Sequence, residues 1–308
     1  MKFPIIFGPT AVGKTELAVR LAEYLPIEVI SMDSRQIYKY MDVGTGKPSP
    51  EVRKLVPHHL IDFLDPSQNY NAYLFRRDAF RLIADIVDRG KIPIIVGGTG
   101  LYADALLFGM IEGVPANEAL RTALLNLERS FPGILRRILE KVDPDAAMRI
   151  HRNDMKRTVR ALEVHIMLGR RISDIWSAQK KEAVDSPFYI ILIERKRKDL
   201  YDRINERTLK MFKEGLVEEV KALLHMGYSP ELDALKTIGY KEVLKYLDKE
   251  LSLEETIRLV QKNTRQYARR QIMWGRRYRE ALRFNLSETP IERVASEMSK
   301  LIKSRLGG

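Results

Sequence analysis

Gly8-Pro9-Thr10-Ala11-Val12-Gly13-Lys14-Thr15 stands directly between an apolar run, Phe3–Phe7, and a helical pattern, Glu16–Tyr24. Two glycines at this spacing let the backbone curl so that its N–H groups point inward, and the helix that follows adds the positive end of its dipole. Such a nest binds phosphate oxygens. Lys14 supplies a point charge for the outer phosphate, and the Thr15 hydroxyl is placed to ligate Mg²⁺ beside phosphate oxygens. A strand before the loop and a helix after it predict a P-loop NTPase-like α/β fold with the ligand at the loop.

The rest of the chain fits that class. Further strand-like runs fall at 27–32, 92–96 and 189–193, separated by helical patterns such as 73–89, the alternation of a parallel sheet covered by helices. Between Gly113 and Val184 the strand pattern stops, and amphipathic helices are expected at 119–131, 133–142, 143–150, 154–168 and 172–181. The expected division is therefore a core of residues 1–112 and 185–308 and a helical insertion domain of residues 113–184. That insertion carries 14 Lys and Arg against 9 Asp and Glu. Beyond it, helices are expected at 199–213, 216–225 and 239–247, then one long helix from Ser252 to about Arg283. Its second half holds Arg265, Arg269, Arg270, Arg276, Arg277, Arg279 and Arg283 against the single acid Glu280.

The 308 residues carry a formal charge of +12, more than solubility needs, which directs attention to a polyanionic partner. Absence of cysteine removes disulfides, thiolate nucleophiles and cysteine metal sites, and the five histidines show no ligand spacing. His58 and His59 are adjacent, so their side chains diverge and a packing or hydrogen-bonding role is expected. Trp176 and Trp274 are expected as packing anchors. The only metal expected is Mg²⁺ carried in with phosphate. No apolar run is long enough for a bilayer and Met1-Lys2-Phe3-Pro4 lacks signal-peptide anatomy, so a soluble, cytoplasmic chain is expected.

A phosphate loop works with an acid at the end of a neighbouring strand. The run 92–96 ends in Gly97-Gly98-Thr99-Gly100-Leu101-Tyr102, with no carboxylate, which leaves Asp33 at the end of 27–32. Ligands of parallel sheets collect at the carboxyl ends of strands, so Thr10, Asp33 and Thr99 are expected to converge on one cleft. From the residues alone, Asp33 is open as a Mg²⁺ ligand, a general base or a helix cap.

Several ordered motifs add a resemblance. Gly8–Thr15, Asp33-Ser34-Arg35-Gln36-Ile37-Tyr38, Gly44-Thr45-Gly46-Lys47-Pro48, His58-His59-Leu60-Ile61-Asp62 and Gly97–Tyr102, followed by Arg160-Ala161-Leu162-Glu163-Val164, Gly239-Tyr240, Thr264-Arg265-Gln266, Arg270-Gln271 and Trp274, resemble the tRNA dimethylallyltransferases over nearly the whole chain. Where that family often has Ser in the loop this chain has Val12, a position that presents its backbone to the ligand.

The resemblance implies transfer of a dimethylallyl group from dimethylallyl diphosphate to N6 of the adenosine 3′ to the anticodon, in tRNAs reading codons that begin with U. Gly8, Pro9, Thr10, Ala11, Val12, Gly13, Lys14 and Thr15 would then hold a diphosphate leaving group, with Thr15 on the metal. It implies Asp33 as general base, Arg207 as the arginine gripping the diphosphate, and Thr10 among the catalytic residues. Contacts to tRNA are implied at Asp33, Ser34, Arg35 and Gln36, at Lys156, Arg157, Thr158, Val159 and Arg160, at Lys236, Thr237, Ile238, Gly239, Tyr240 and Lys241, and singly at Thr99 and Arg121. A monomer acting on the anticodon stem-loop is expected, with Tyr240 read as a ring on which an unstacked base can lie or, alternatively, as a core residue of a helix-to-helix turn.

An adenine amine is a poor nucleophile, so the allylic C–O bond must break substantially first and negative charge grows on the diphosphate. Stabilising that charge is the main task set for Lys14, Arg207 and Mg²⁺. Within the same chemistry an adenylate prenyltransferase needs no basic helices. A small-molecule kinase would share the loop and use Asp33 on a hydroxyl, and a non-catalytic RNA-binding protein would not need Asp33 at all.

Overall fold

The computed structural model describes residues 2–111, 115–182 and 186–306, and for 179–182 the backbone only. The expected domain boundaries at 113 and 184 lie outside the described residues. By its internal contacts the chain forms two compact units, residues 1–107 with 187–308, and residues 108–186.

The first unit opens with β1 (Phe3–Phe7), α1 (Lys14–Ala22), β2 (Ile27–Met32), α2 (Pro50–Leu55), β3 (His58–His59), α3 (Ala72–Asp88), β4 (Ile92–Gly97) and α4 (Gly100–Phe108). The second unit contains α5 (Glu118–Ser130), α6 (Ile134–Val142), α7 (Pro144–Arg149), α8 (Met155–Leu168) and α9 (Ile172–Glu182). The chain then returns through β5 (Phe188–Glu194), α10 (Arg197–Lys213), α11 (Leu216–His225), α12 (Tyr240–Leu247), α13 (Leu253–Gly275), β6 (Leu282–Asn285) and α14 (Ile291–Leu306).

The described strands form one all-parallel sheet in the order β3-β2-β4-β1-β5-β6. Every residue of β2 is buried, as expected of a strand covered on both faces. On one face Leu17, Ala18 and Leu21 of α1 and Val294, Ala295, Met298 and Ile302 of α14 join one apolar cluster with Ile6, Val29, Ile94 and Ile191. A separate cluster packs Ile37, Tyr38 and Met41 against α11 and α12. β1 lies between β4 and β5, and the carboxyl ends of β1, β2, β4 and β5 lead to Gly8, Asp33, Gly98 and Arg195. The connections run to opposite edges of the sheet on the two sides of β1, and such a switch point is where these sheets bind ligands.

The helical unit has its own core of Leu124, Leu135, Leu139, Ala146, Ile150, Leu162, Val164 and Ile172. Its corner is tied by Asp143, 1% exposed, whose carboxylate accepts from Ala146 N at 3.0 Å and from Ser173 N at 3.0 Å. Among the described residues no helix is long and apolar enough to cross a membrane.

Two elements differ from the sequence reading. The long basic helix stops at Gly275 rather than running on to Arg283. Gly275 packs so closely on β1 and β5 that a Cβ there would lie 3.3 Å from Leu192 and 3.4 Å from Phe7. Three residues on, Tyr278 is buried, donates its hydroxyl to Asp104 at 2.7 Å and meets the Phe7 ring edge-on. Arg283 consequently belongs to β6, paired with Glu194 at 2.6 Å. The pair His58–His59 is a short edge strand against Val29 and Ile30, with His58 Nδ1 on Val56 O at 2.6 Å and His59 Nε2 on Glu28 at 2.7 Å.

Candidate functional site

The phosphate loop is shaped from outside. At Gly8 a Cβ would lie 2.6 Å from Ile193 O, so only glycine lets β1 and β5 close here. The chain then turns through left-handed conformations at Ala11 (φ 63°) and Gly13 (φ 110°) before α1 begins. Two arginines reach in from the β5–α10 segment. Arg203 Nε donates to Ala11 O at 3.0 Å, and Arg195 Nε donates to Val12 O at 2.8 Å. In a trans peptide the N–H points opposite to the C=O, so holding Val12 O outward turns the Gly13 N–H the other way. Those of Lys14 and Thr15 follow at the helix start, where no earlier carbonyl takes them.

Lys14 Nζ donates to Gly8 O and Pro9 O, each at 2.8 Å. The residue is partly accessible at the cleft, and desolvation depresses its pKa to about 7 against an upward pull from Asp33. Arg207, from α10, extends Nη1 to Thr10 Oγ1 and Nη2 to Thr45 O, each at 3.4 Å. Burial lowers its pKa as well, yet a guanidinium stays charged. The Arg207 guanidinium, and Lys14 when protonated, place positive charge beside one loop, and the cleft lies open before them.

That cleft is a cavity of about 780 Å³ lined by Thr10–Thr15, Asp33–Gln36, Gly44–Gly46, Arg207, Lys236–Gly239, Lys241, Tyr267, Arg270 and Gln271. Asp33 follows β2 directly. Its Oδ1 accepts from Arg35 N at 2.8 Å and Gln36 N at 3.3 Å, so the carboxylate closes its own turn with one oxygen. No hydrogen bond from the described residues occupies Oδ2. Thr99 does not line the cavity but supports it, accepting from Ser34 N at 3.2 Å. Gln36 turns its amide to Thr45 O (3.4 Å) and Gly46 O (3.1 Å), and Arg35 Nη1 donates to Asp233 O at 2.8 Å.

The segment Lys236–Lys241 forms one wall, with Lys236, Ile238 and Lys241 toward the cavity. Tyr240 does not serve as a stacking ring. It is 0% exposed and donates its hydroxyl to Glu219 at 2.5 Å, while the same carboxylate accepts from Asp42 N, Val43 N and Gly44 N. A phenol with a buried acceptor gains more from that bond and from apolar packing than from a wet face. Thr237 is likewise turned inward, onto Ala234 O at 2.6 Å.

The other basic segment lies in the helical unit. Lys156 and Arg157 are exposed, whereas Thr158 and Val159 are 2% and 6% exposed and face the unit's core. Helical periodicity allows only one side of 156–160 to meet a partner. Arg121 and Arg160 converge on Glu163, itself 0% exposed: Arg121 Nε at 2.9 Å and Arg160 Nη1 at 2.5 Å. Burial alone would push the Glu163 carboxyl up, but the bonds from Arg121, Asn117 N and Arg160 bring it below the usual range.

For a divalent cation the described residues offer no cluster of three His, Asp or Glu side chains. The cleft provides the Thr15 hydroxyl, on the accessible side of α1, and the unbonded oxygen of Asp33. That donor set fits a hard cation that keeps waters and is carried by the diphosphate. Sequence reasoning missed Arg195 and Glu219, whose partners lie far along the chain, and gave Gln271 no role, although a glutamine on the buried face of a basic helix is itself unusual.

Comparison with known proteins bears on this site. A family model described as IPP transferase matches residues 36–278, and one described as isopentenyl transferase matches residues 1–62. The tRNA dimethylallyltransferase of Thermotoga neapolitana is 55% identical over 302 residues, covering 98% of each chain, and that of Thermotoga maritima is 54% identical over the same span. The crystal structure of the tRNA isopentenylpyrophosphate transferase of Bacillus halodurans is 38% identical, with a TM-score of 0.74, covering 99% of this chain and 97% of that one. A eukaryotic dimethylallyltransferase described as acting on tRNA is 30% identical with a TM-score of 0.85, covering 99% of this chain and 80% of that one. With a family model spanning most of the chain and full-length relatives above half identity, the chain belongs to the IPP transferase family.

Proposed function

We propose that this protein transfers the dimethylallyl group of dimethylallyl diphosphate to N6 of the adenosine 3′ to the anticodon, in tRNAs reading codons that begin with U. The observation that carries the reading is the meeting of opposites in one cavity: the basic groups of Lys14 and Arg207, and a carboxylate oxygen of Asp33 to which none of the described residues donates a hydrogen bond. The names of the relatives, at 55% identity over nearly the full length, support the same substrates.

The chemistry divides between the two sides. As the allylic C–O bond lengthens, its electron pair moves to the diphosphate, where Lys14, Arg207 and the loop N–H groups face the growing charge. Losing one well-placed donor of this kind costs on the order of 10²–10³ in rate. The N6 lone pair then forms the new C–N bond, and the amine, made strongly acidic by alkylation, gives its proton to Asp33 Oδ2. A Mg²⁺ ion arriving with the diphosphate would sit against Thr15 and supply further charge neutralisation.

Reaching N6 requires the base to leave the loop stack. Lys236, Lys241, Arg35 and Arg270 at the cavity rim suit the flanking phosphates, and Lys156, Arg157, Arg160 and Arg121 offer the helical unit's charges to the stem. A tRNA substrate places the reaction in the cytoplasm, and one chain carries every residue the reaction uses, so a monomer suffices.

The deciding experiment incubates the protein with Mg²⁺, isotopically labelled dimethylallyl diphosphate and unmodified tRNA, then digests the RNA and identifies nucleosides by mass spectrometry. N6-isopentenyladenosine 3′ to the anticodon is expected. Label on free AMP or ADP instead would make the chain an adenylate prenyltransferase, and γ-phosphate transfer from ATP would make it a kinase.

A further inference from the structure

Gln271 is 5% exposed and lies on α13, far along the chain from the phosphate loop. Its Oε1 accepts from Thr10 N at 2.8 Å, and its Nε2 donates to Gly98 O at 2.9 Å. Both partners have fixed roles, an N–H that only donates and a carbonyl that only accepts, so the amide orientation follows from them. A side chain at Gly98 would run into this amide and come within 2.8 Å of Gly8 O. The glycine is there so that the glutamine can cross.

From these contacts we infer that Gln271 is a positioning residue that sets the separation between the leaving-group site and the proton acceptor. On one side it fixes Thr10, whose hydroxyl meets Arg207. On the other it fixes the turn after β4, where Thr99 N donates to Met32 O at 3.3 Å and Thr99 Oγ1 accepts from Ser34 N beside Asp33. The diphosphate grip and the carboxylate turn thus hang from the two ends of one amide. Among the described residues neither Thr10 N nor Gly98 O makes another hydrogen bond, and a misplacement of about 1 Å between reacting groups costs on the order of 10²-fold in rate. The inference rests on the proposed function, since it takes the two ends as the two halves of that reaction.

Two variants test it. Gln271→Met keeps the length and removes both bonds; kcat is expected to fall roughly 10- to 100-fold, KM for dimethylallyl diphosphate to rise, tRNA affinity to stay near that of the native protein, and the melting temperature to drop by several degrees as Thr10 N and Gly98 O lose their partner. Gln271→Glu is the sharper probe. A protonated carboxyl offers one donor and one acceptor, as the amide does, whereas the carboxylate has nothing to give Gly98 O. Burial raises such a carboxyl's pKa, by several units in documented cases. Activity of the Glu variant divided by that of the native protein is therefore expected to climb as pH falls from 9 to 6.

A Met variant with native kcat overturns the inference, as does a Glu-to-native ratio that is flat with pH; if the Met variant fails to fold, the ratio decides alone. Binding of inorganic diphosphate, measured on both proteins by calorimetry, separates the two proposals. Should native protein bind diphosphate but transfer no prenyl group to tRNA, the function fails first, while weakened diphosphate binding in Gln271→Met would still report the brace.

Discussion

The guanidinium of Arg207 occupies the space into which a side chain on Gly46 would project. Gly46 has φ 60°, and the carbonyl of its neighbour Thr45 accepts from Arg207 Nη2 and Gln36 Nε2, both at 3.4 Å. The loop of residues 44–46 is thus the mould in which the arginine lies. Gly46→Ala adds strain at a left-handed position and pushes the guanidinium off Thr10. Turnover is expected to fall by about 10- to 100-fold, short of the 10²–10³ seen when an oxyanion donor is deleted. Steady-state kinetics against dimethylallyl diphosphate check this, with tRNA affinity as the unchanged control.

Lys14 makes diphosphate binding depend on pH. Burial brings its pKa to about 7 from 10.5. Above that value the free protein holds a neutral amine, which an arriving diphosphate must reprotonate. Affinity for inorganic diphosphate is therefore expected to fall as pH rises above 7, by up to about tenfold per unit. For folding the sign is opposite. Between 7 and 10.5 the unfolded chain binds this proton and the folded one does not, so this group makes the fold more stable as pH rises. Calorimetry in buffers of different ionisation enthalpy should detect proton uptake on binding at pH 8, absent in Lys14→Met.

Asp33 has two separable duties. Asp33→Asn keeps the oxygen that accepts from Arg35 N and Gln36 N while replacing the proton acceptor with an amide. Turnover is expected to drop by about 10²–10⁴ with tRNA affinity within twofold. Asp33→Ala also opens the turn and should weaken tRNA binding as well. Full activity in the Asn variant would assign the proton to another acceptor.

Much of this architecture was readable because its information is local. The apolar runs 3–7, 27–32, 92–96 and 189–193 each hold enough β-branched and aromatic residues to declare a buried strand, and the helices of the second unit carry their caps at Asn117, Asp143 and Asp154. The edge strands were not readable. His58–His59 exists only as a partner to β2, and Leu282–Asn285 hides inside an arginine-rich stretch that reads as continuing helix. At the site, the phosphate loop and Asp33 announce themselves by type and spacing. Arg195, Arg203, Glu219 and Gln271 do not, because each acts on backbone groups more than a hundred residues away, and nothing local separates such a residue from a surface charge or polar side chain. Tyr240 shows the converse error. An aromatic between two lysines looks like a stacking platform until Glu219 supplies a buried partner for its hydroxyl.

In the helical unit, Glu163 ties Arg121, Arg160 and Asn117 N to one buried carboxylate. Both arginines remain about one third exposed, so solvent screens the loss of the charge, and Glu163→Gln is expected to cost roughly 2 kcal/mol. The carboxyl's folded pKa is depressed, so its contribution is present above the usual 4.5 and fades as pH falls through the folded value. Melts followed by circular dichroism should show the native protein and the Gln variant drawing together at low pH.

The brace at Gln271 also has a consequence for biosynthesis. Residue 10 leaves the ribosome 261 residues before the side chain that will steady it. At about 5–20 residues per second that interval is roughly 13 to 50 s. Through all of it the nascent chain carries a complete phosphate-loop motif without its clamp, and β1 waits about 70% of that interval for β5. A chain cut short before α13 would lack the brace altogether, so a truncated product keeps the motif while losing the machinery that the motif advertises.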